Sequence, residues 1–314
     1  MKKLKQSYRR FARITFAVLC GLMVVGSFWD LPISRFLYPG HETSFGQIFS
    51  AFGELPAFLC IVCGGVLLLL IRSRLRRPFQ TLGLIGGIFA IVGGLLFAVH
   101  EATDNVPALP TWVALLVSVF FSAICAFLLL LLARGCPTKT VFRFLCTIVF
   151  CSVVTMLLIN IIKVPWGRAR MRLIVGTGNE TYFTSWWKAG KALRDKLVAD
   201  GISADEFRSF PSGHTSCAAC CMLLILLPTL GKQFRGKQTT LMLIGALWTA
   251  IVAFSRIYMG AHFLTDVAMA AIIASLVCTF GVYLFYFNGK FFRMIWNFLF
   301  EPAENVQQES RDKA

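Results

Sequence analysis

Charge is scarce in this chain, and acidic charge is scarcer still: 15% of the 314 residues are charged, with 31 Lys and Arg against 15 Asp and Glu. No run alternates apolar and polar residues as the strands of a membrane barrel do, which excludes that class. No glycine pattern of the Rossmann or P-loop type is present, so no nucleotide cofactor is expected. There is no internal repeat and no low-complexity tract. The basic start, MKKLKQSYRRFARITF, lacks a small-x-small cleavage site after its apolar run, which ends in Ser27-Phe28-Trp29-Asp30. It reads as an uncleaved first span rather than a removable leader. The eleven cysteines fall almost entirely inside apolar runs. Cys60-x-x-Cys63 and Cys217/Cys220/Cys221 have metal-like spacings in an apolar setting. They read as small membrane-compatible side chains, and neither disulfides nor a zinc or redox site is expected.

Hydrophobic residues, by contrast, make up 57% of the chain, and the mean hydropathy is +0.71. That share exceeds what a soluble domain carries and points to an all-α integral membrane protein. Runs of about 18 or more mostly apolar residues predict about eight transmembrane helices. They lie near 12–29, 55–71, 79–99, 112–132, 141–162, 212–230, 239–255 and 267–287. The net charge of +16 could suit a nucleic-acid partner, but its distribution argues otherwise. With the N-terminus in the cytoplasm, the inner segments hold 20 of the 31 Lys and Arg and only four of the 15 acids. The outer segments hold eleven of each and are neutral. All the net charge lies on one side, as the positive-inside rule requires of eight spans with both termini cytoplasmic. No nucleic acid is expected as a partner.

One connection is long. Residues 163–210 form an outer loop with nine Lys and Arg, a local excess that breaks the positive-inside pattern and needs its own reason. Within it, Trp186–Asp200 (WWKAGKALRDKLVAD) reads as a helix, either lying on the membrane surface or fully solvated. Ser203 with Glu206 has the spacing of a capping box. Asn179-Glu180-Thr181 is a glycosylation sequon, of consequence only in a secretory pathway.

Three clusters fall on this outer side. In the first, Lys163-Val-Pro-Trp-Gly-Arg168-Ala-Arg170-Met-Arg172, the cations suit either headgroup snorkelling or anion binding. Lys163 and Arg170 share a face if the segment is helical, although Pro165 and Gly167 weaken that helix. The second, Phe210-Pro211-Ser212-Gly213-His214, opens a span. Ser212 is a natural N-cap, the Ser212 and Gly213 amides at a helix N-terminus suit an anion, and His214 beside them is a candidate proton donor. The third is SRIYMGAHFLTD, residues 255–266. His262 and Asp266 are four apart and share a helix face, so the carboxylate can fix the imidazole's tautomer and make it a nucleophile or base. Arg256 adds a fork of donors suited to phosphate, and Gly260 permits the turn. Together these groups suit phosphoryl transfer without metal. Cations neutralise the non-bridging oxygens, one histidine attacks phosphorus, and the other protonates the leaving oxygen. Zinc is disfavoured because the surrounding cations would repel it.

The three clusters resemble the type 2 phosphatidic acid phosphatase superfamily of membrane lipid phosphatases, which also includes glucose-6-phosphatase and vanadium haloperoxidases. The family pattern is Lys, six residues, Arg-Pro; then Pro-Ser-Gly-His; then Ser-Arg, five residues, His, three residues, Asp. Lys163 and Arg170 fit the first part, with Met171 in place of the proline. Pro211 to His214 fit the second, and Ser255, Arg256, His262 and Asp266 fit the third. The resemblance implies a catalytic core over 141–287 with the outer loop 163–210, preceded by N-terminal transmembrane helices over 1–140 and followed by a cytoplasmic polar tail over 288–314. Two of the first four spans are then extra to the usual six. His262 would form a phosphohistidine, with Asp266 orienting it and His214 as the general acid. Lys163, Arg170, Ser212, Gly213 and Arg256 would hold the phosphate. No metal and no cofactor is implied. The expected activity is hydrolysis of a lipid phosphate or diphosphate at the outer face of an inner or plasma membrane, with that lipid and the bilayer as partners. A lipid-to-lipid phosphotransferase with the same site, or a non-enzymatic lipid transporter or scramblase, stands as the alternative.

Overall fold

The computed structural model describes residues 2–300, with side chains from residue 5; the polar tail expected after Glu301 lies outside the described residues. Among the described residues the chain is helical, apart from one isolated antiparallel bridge between Leu75 and Phe300. The helices are α1 (Lys2–Leu37), α2 (Ser44–Phe52), α3 (Leu55–Ile71), α4 (Arg77–Asn105), α5 (Thr111–Ala133), α6 (Thr138–Trp166), α7 (Met171–Thr177), α8 (Lys191–Ala199), α9 (Gly213–Ala218), α10 (Gln238–Tyr258), α11 (Leu264–Val282) and α12 (Gly289–Leu299).

Seven helical segments are long and apolar enough to cross a membrane, and the chain is a multi-pass membrane protein. The eighth expected run is shorter: α9 continues as a 3-10 helix, Ala219–Thr229. Six residues at about 1.5 Å rise and eleven at about 2.0 Å still reach about 31 Å, close to the hydrocarbon thickness of a bilayer. The stretched winding thus lets this segment match its neighbours in length. Large apolar side chains stand exposed along the outer faces of α1, α4 and α5, among them Phe28, Phe89 and Phe120. Such a continuous apolar exterior fits lipid and not water.

The two ends of the bundle differ in charge. At one end Lys5 lies over the Phe287 ring, Lys139 over Trp296 and Arg143 over Phe292, while Arg76 donates to the carbonyls of Asn297 and Phe300. This end therefore gathers the basic N-terminus and the basic connections near 72–77 and 134–143, together with the chain after α11. Residues 289–299 are helical where the sequence suggested the start of a polar tail. Phe291, Phe292, Ile295 and Trp296 recur at helical spacing and pack on the core, and the Phe300 and Phe142 ring centroids are 5.0 Å apart. The opposite end collects α2, the long loop and the α10–α11 connection around a cavity.

The long loop departs from the sequence reading in two places. The helix expected over 186–200 is only α8, Lys191–Ala199. Trp186 is instead drawn inward: its indole N–H donates to Ser27 Oγ at 2.9 Å, and its ring stacks on Phe210. Ser203 does cap the short turn Ala204–Phe207, but Glu206 binds Arg172 rather than closing a capping box.

The helix pair α4 and α5 packs on α3, and α3 packs in turn on α6. The α3–α4 contact depends on small residues: a Cβ on Gly87 would lie 2.6 Å from the Leu69 side chain, and one on Gly65 2.6 Å from the Gly87 carbonyl oxygen. Close backbone approach supplies the packing that hydrophobic exclusion cannot provide inside lipid. Gly87→Leu is expected to destabilise the fold by about 1–3 kcal/mol through overpacking. Gly93→Leu, where no atom lies within 4 Å, should leave the melting temperature in detergent unchanged. Thermal unfolding of the two purified variants checks the contrast.

Candidate active site

Helix ends build the site. Lys163 sits in the last turn of α6, which stops at Gly167, where φ is +68°. Only glycine adopts that conformation without strain. A Cβ there would also press on the Lys191 backbone at 3.1 Å. The break means that Lys163 and Arg170 do not share a helix face. Arg170 is the extended residue that precedes α7. The turn brings the two cations to one cavity by folding the chain back.

That cavity, of about 620 Å³, is lined by Lys163, Arg170, Gly213, His214, Arg256 and His262, six of the eight residues the sequence singled out. Gly213 begins α9, so its amide has no intrahelical acceptor. A Cβ at Gly213 would lie 3.0 Å from Glu54 Oε1 and 3.3 Å from Lys163 Nζ, so a side chain there would have to displace the ends of both. Arg256 donates through Nη1 to Ser50 Oγ at 2.5 Å. The Nε atoms of Arg170 and Arg256 are buried and have no protein acceptor. Buried donors of this kind are rare in native proteins and mark a place for an acceptor. Arg170 and Arg172 are partly neutralised by Asp205 and Glu206 of the long loop.

Ser212 and Asp266 do not line the cavity. The Ser212 amide donates to the Asp266 carbonyl, and its hydroxyl accepts from the Thr215 amide. The serine thus caps α9 and offers no free N–H to an anion. Asp266 lies in the first turn of α11, but His262 precedes that helix, so the two do not share a helix face. Their Nδ1–Oδ2 separation is 3.9 Å, beyond a hydrogen bond. His262 Nδ1 instead donates to the Ser209 carbonyl oxygen at 2.5 Å. Asp266 reaches the histidine through that residue, because Ser209 Oγ donates to Asp266 Oδ2 at 2.5 Å. The same Oδ2 accepts from the Phe263 amide at 2.8 Å. Gly260, at φ +63°, turns this connection, and its carbonyl accepts from the Arg172 amide.

Asp266 Oδ1 accepts from Arg168 Nη1 at 2.5 Å, and Arg168 Nη2 donates to Asp30 Oδ2 at 2.9 Å. Arg168 has no exposed surface and lies over the Phe263 ring. Asp30, from α1, also accepts from the Thr265 amide and hydroxyl. The sequence reading missed Asp30, Ser50, Glu54 and Ser209. Asp30 and Glu54 did carry a signal, since each is an acid at the edge of an apolar run, where a charge needs a partner.

Burial, and then the positive charges of Lys163, Arg170 and Arg256, push the His262 pKa well below its ordinary range. The neutral ring donates through Nδ1 and keeps the lone pair on Nε2, which has no protein partner, for an electrophile at the cavity.

Residues 144–290 match the family model of the PAP2 superfamily, and the match supports phosphatase activity on phosphate esters. No solved structure matches the chain significantly.

Two outcomes follow from this geometry. A reaction through the free Nε2 requires the neutral form of His262, and for such a reaction the acid limb of kcat/KM is expected to lie below the ordinary histidine pKa of about 6.5. Arg170→Gln removes one repelling cation, makes protonation easier and should move that limb to higher pH; a pH–rate series on both proteins checks it. Arg168→Met leaves Asp30 and Asp266 as two buried carboxylates without a counter-charge and is expected to cost about 3–5 kcal/mol. Combining it with Asp30→Ala removes one of those carboxylates and should recover part of that loss in thermal unfolding.

Proposed function

We propose that this chain, which belongs to the PAP2 superfamily through residues 144–290, hydrolyses a lipid phosphate or diphosphate through a phosphohistidine on His262, without metal. The observation that carries the reading is a neutral imidazole, locked by the Ser209 carbonyl, in a cavity lined by Lys163, Arg170 and Arg256.

A phosphate group entering the cavity places its non-bridging oxygens among Lys163, Arg170, Arg256 and the Gly213 amide. These donors are fixed before the reaction and stabilise the charge that builds on those oxygens. His262 Nε2 attacks phosphorus as the bond to the leaving oxygen breaks, and His214 gives that oxygen a proton. Water then attacks the phosphohistidine. His214 takes the water's proton, the P–N bond breaks, and phosphate leaves with both histidines restored.

Several features support a lipid substrate handled at the outer face of an inner or plasma membrane. The cavity opens at the end of the bundle opposite the basic connections, and the basic end faces the cytoplasm under the positive-inside rule. Lys5 near the chain's start and Phe287 near the end of the last long segment meet at that basic end, as an even number of crossings requires. Trp187 stands half-exposed at the other end, a position suited to lipid headgroups.

Inorganic phosphate release from a panel of lipid phosphates, measured with EDTA beside His262→Ala, tests the reading. Release that survives EDTA and falls on the order of 10³-fold or more in the variant is the expected outcome. Undiminished release by folded His262→Ala would sink it.

A further inference from the structure

His214 is tied at both nitrogens. Its Nε2 lies 2.8 Å from the Ser50 carbonyl oxygen, and its Nδ1 lies 2.9 Å from Glu54 Oε1. A backbone carbonyl only accepts, so Nε2 carries a hydrogen pointed away from any substrate. The one proton His214 can give to a leaving oxygen is therefore the proton at Nδ1, which faces Glu54 and reaches that oxygen only where the oxygen lies beside the carboxylate and shares the hydrogen. Glu54 sits in the turn between α2 and α3, outside the segment that matches the superfamily. Its carboxylate lines the cavity beside Gly213, in the space shared with Lys163, Arg256, His262 and, from α4, Glu101.

We infer that Glu54 is a positioning residue for proton transfer, holding His214 so that its Nδ1–H is the proton the leaving oxygen takes. The inference rests on the phosphatase reading above. In the first step the P–O bond to the leaving group breaks and an O–H bond forms with the Nδ1 proton. His214 becomes neutral and Glu54 remains a carboxylate. In the second step the attacking water loses a proton to Nδ1, its oxygen bonds to phosphorus, and the P–N bond to His262 breaks. The imidazolium is then re-formed beside Glu54, whose negative charge stabilises it. The carboxylate also opposes phosphate binding, because it is an anion inside a cationic cavity. That cost is accepted only by a group with a task at the reacting centre.

Substrates that differ in their leaving oxygen separate this role from a merely structural one. An alkyl phosphate needs a proton donor; p-nitrophenyl phosphate, whose leaving oxygen is already a stable anion, does not. Glu54→Gln is expected to lower kcat/KM for an alkyl phosphate about 10²-fold or more, the range of general acid catalysis. For p-nitrophenyl phosphate the loss should stay below about tenfold. His214→Ala should show the same contrast, Glu54→Gln on top of it should add little, and Glu54→Asp should restore part of the alkyl phosphate rate. Inhibition by inorganic phosphate should be unchanged or tighter in Glu54→Gln, which also shows that the cavity has folded. Equal losses on both substrates, a loss that adds to that of His214→Ala, or weakened phosphate inhibition would overturn the inference. Absence of phosphate release by the wild-type protein from either substrate would instead overturn the phosphatase reading on which it stands.

Discussion

A guanidinium with no exposed surface, held between two buried carboxylates, ties the site together. Arg168 joins Asp30 of α1 to Asp266 of α11, and its Nε donates to the Thr184 carbonyl oxygen of the long loop. Taking three charges out of water carries a large desolvation cost, offset only when the geometry is close and the remaining donors are satisfied. Here both carboxylates accept additional hydrogen bonds, from Thr265, Ser209 and the Phe263 amide. The network fixes the approach of α1 to α11 and the fold of the loop over both. It also fixes His262 at one remove: Asp266 holds Ser209, and the Ser209 carbonyl selects the imidazole tautomer. An orienting carboxylate usually touches its histidine; in this chain a backbone carbonyl stands between them.

The cavity places opposed charges close together. Lys163, Arg170 and Arg256 converge from helix ends where α6, α7 and α10 meet, and burial strengthens their repulsion of any further positive charge. That repulsion favours the neutral form of His262. Beside them Glu54 meets His214, so the two histidines of one cavity differ in their nearest charged neighbour. One ring is ringed by cations and the other is held by an anion.

The first half of the chain does more than add spans. Asp30 comes from α1, Ser50 from α2 and Glu54 from the turn before α3, while α4 brings Glu101 and Asp104 to the cavity wall. The residues recognisable from the superfamily all lie between 163 and 266, and the groups that orient or charge them lie largely before residue 60. The α3–α4 contact, closed through Gly65 and Gly87, holds the α4 wall in place.

Composition and charge placement decided the class of this protein by themselves. Apolar runs of bilayer length admit helices alone, because lipid offers no partner to an exposed backbone, and one-sided basic charge orders the ends. The three clusters were largely legible, since Lys163, Arg170, Gly213, His214, Arg256 and His262 meet at one cavity, although Lys163 and Arg170 do so across a helix break and not on a shared helix face. Roles that depend on a third partner were not legible. Ser212 was read as a phosphate ligand and is a helix cap; Asp266 was read as touching His262 and acts through Ser209. A motif records which residues recur at which spacing, and hydrogen bonds are directional over about 3 Å. Only the tertiary structure could therefore decide that Arg168 is the keystone and that His214 has Glu54, 160 positions earlier, as its partner.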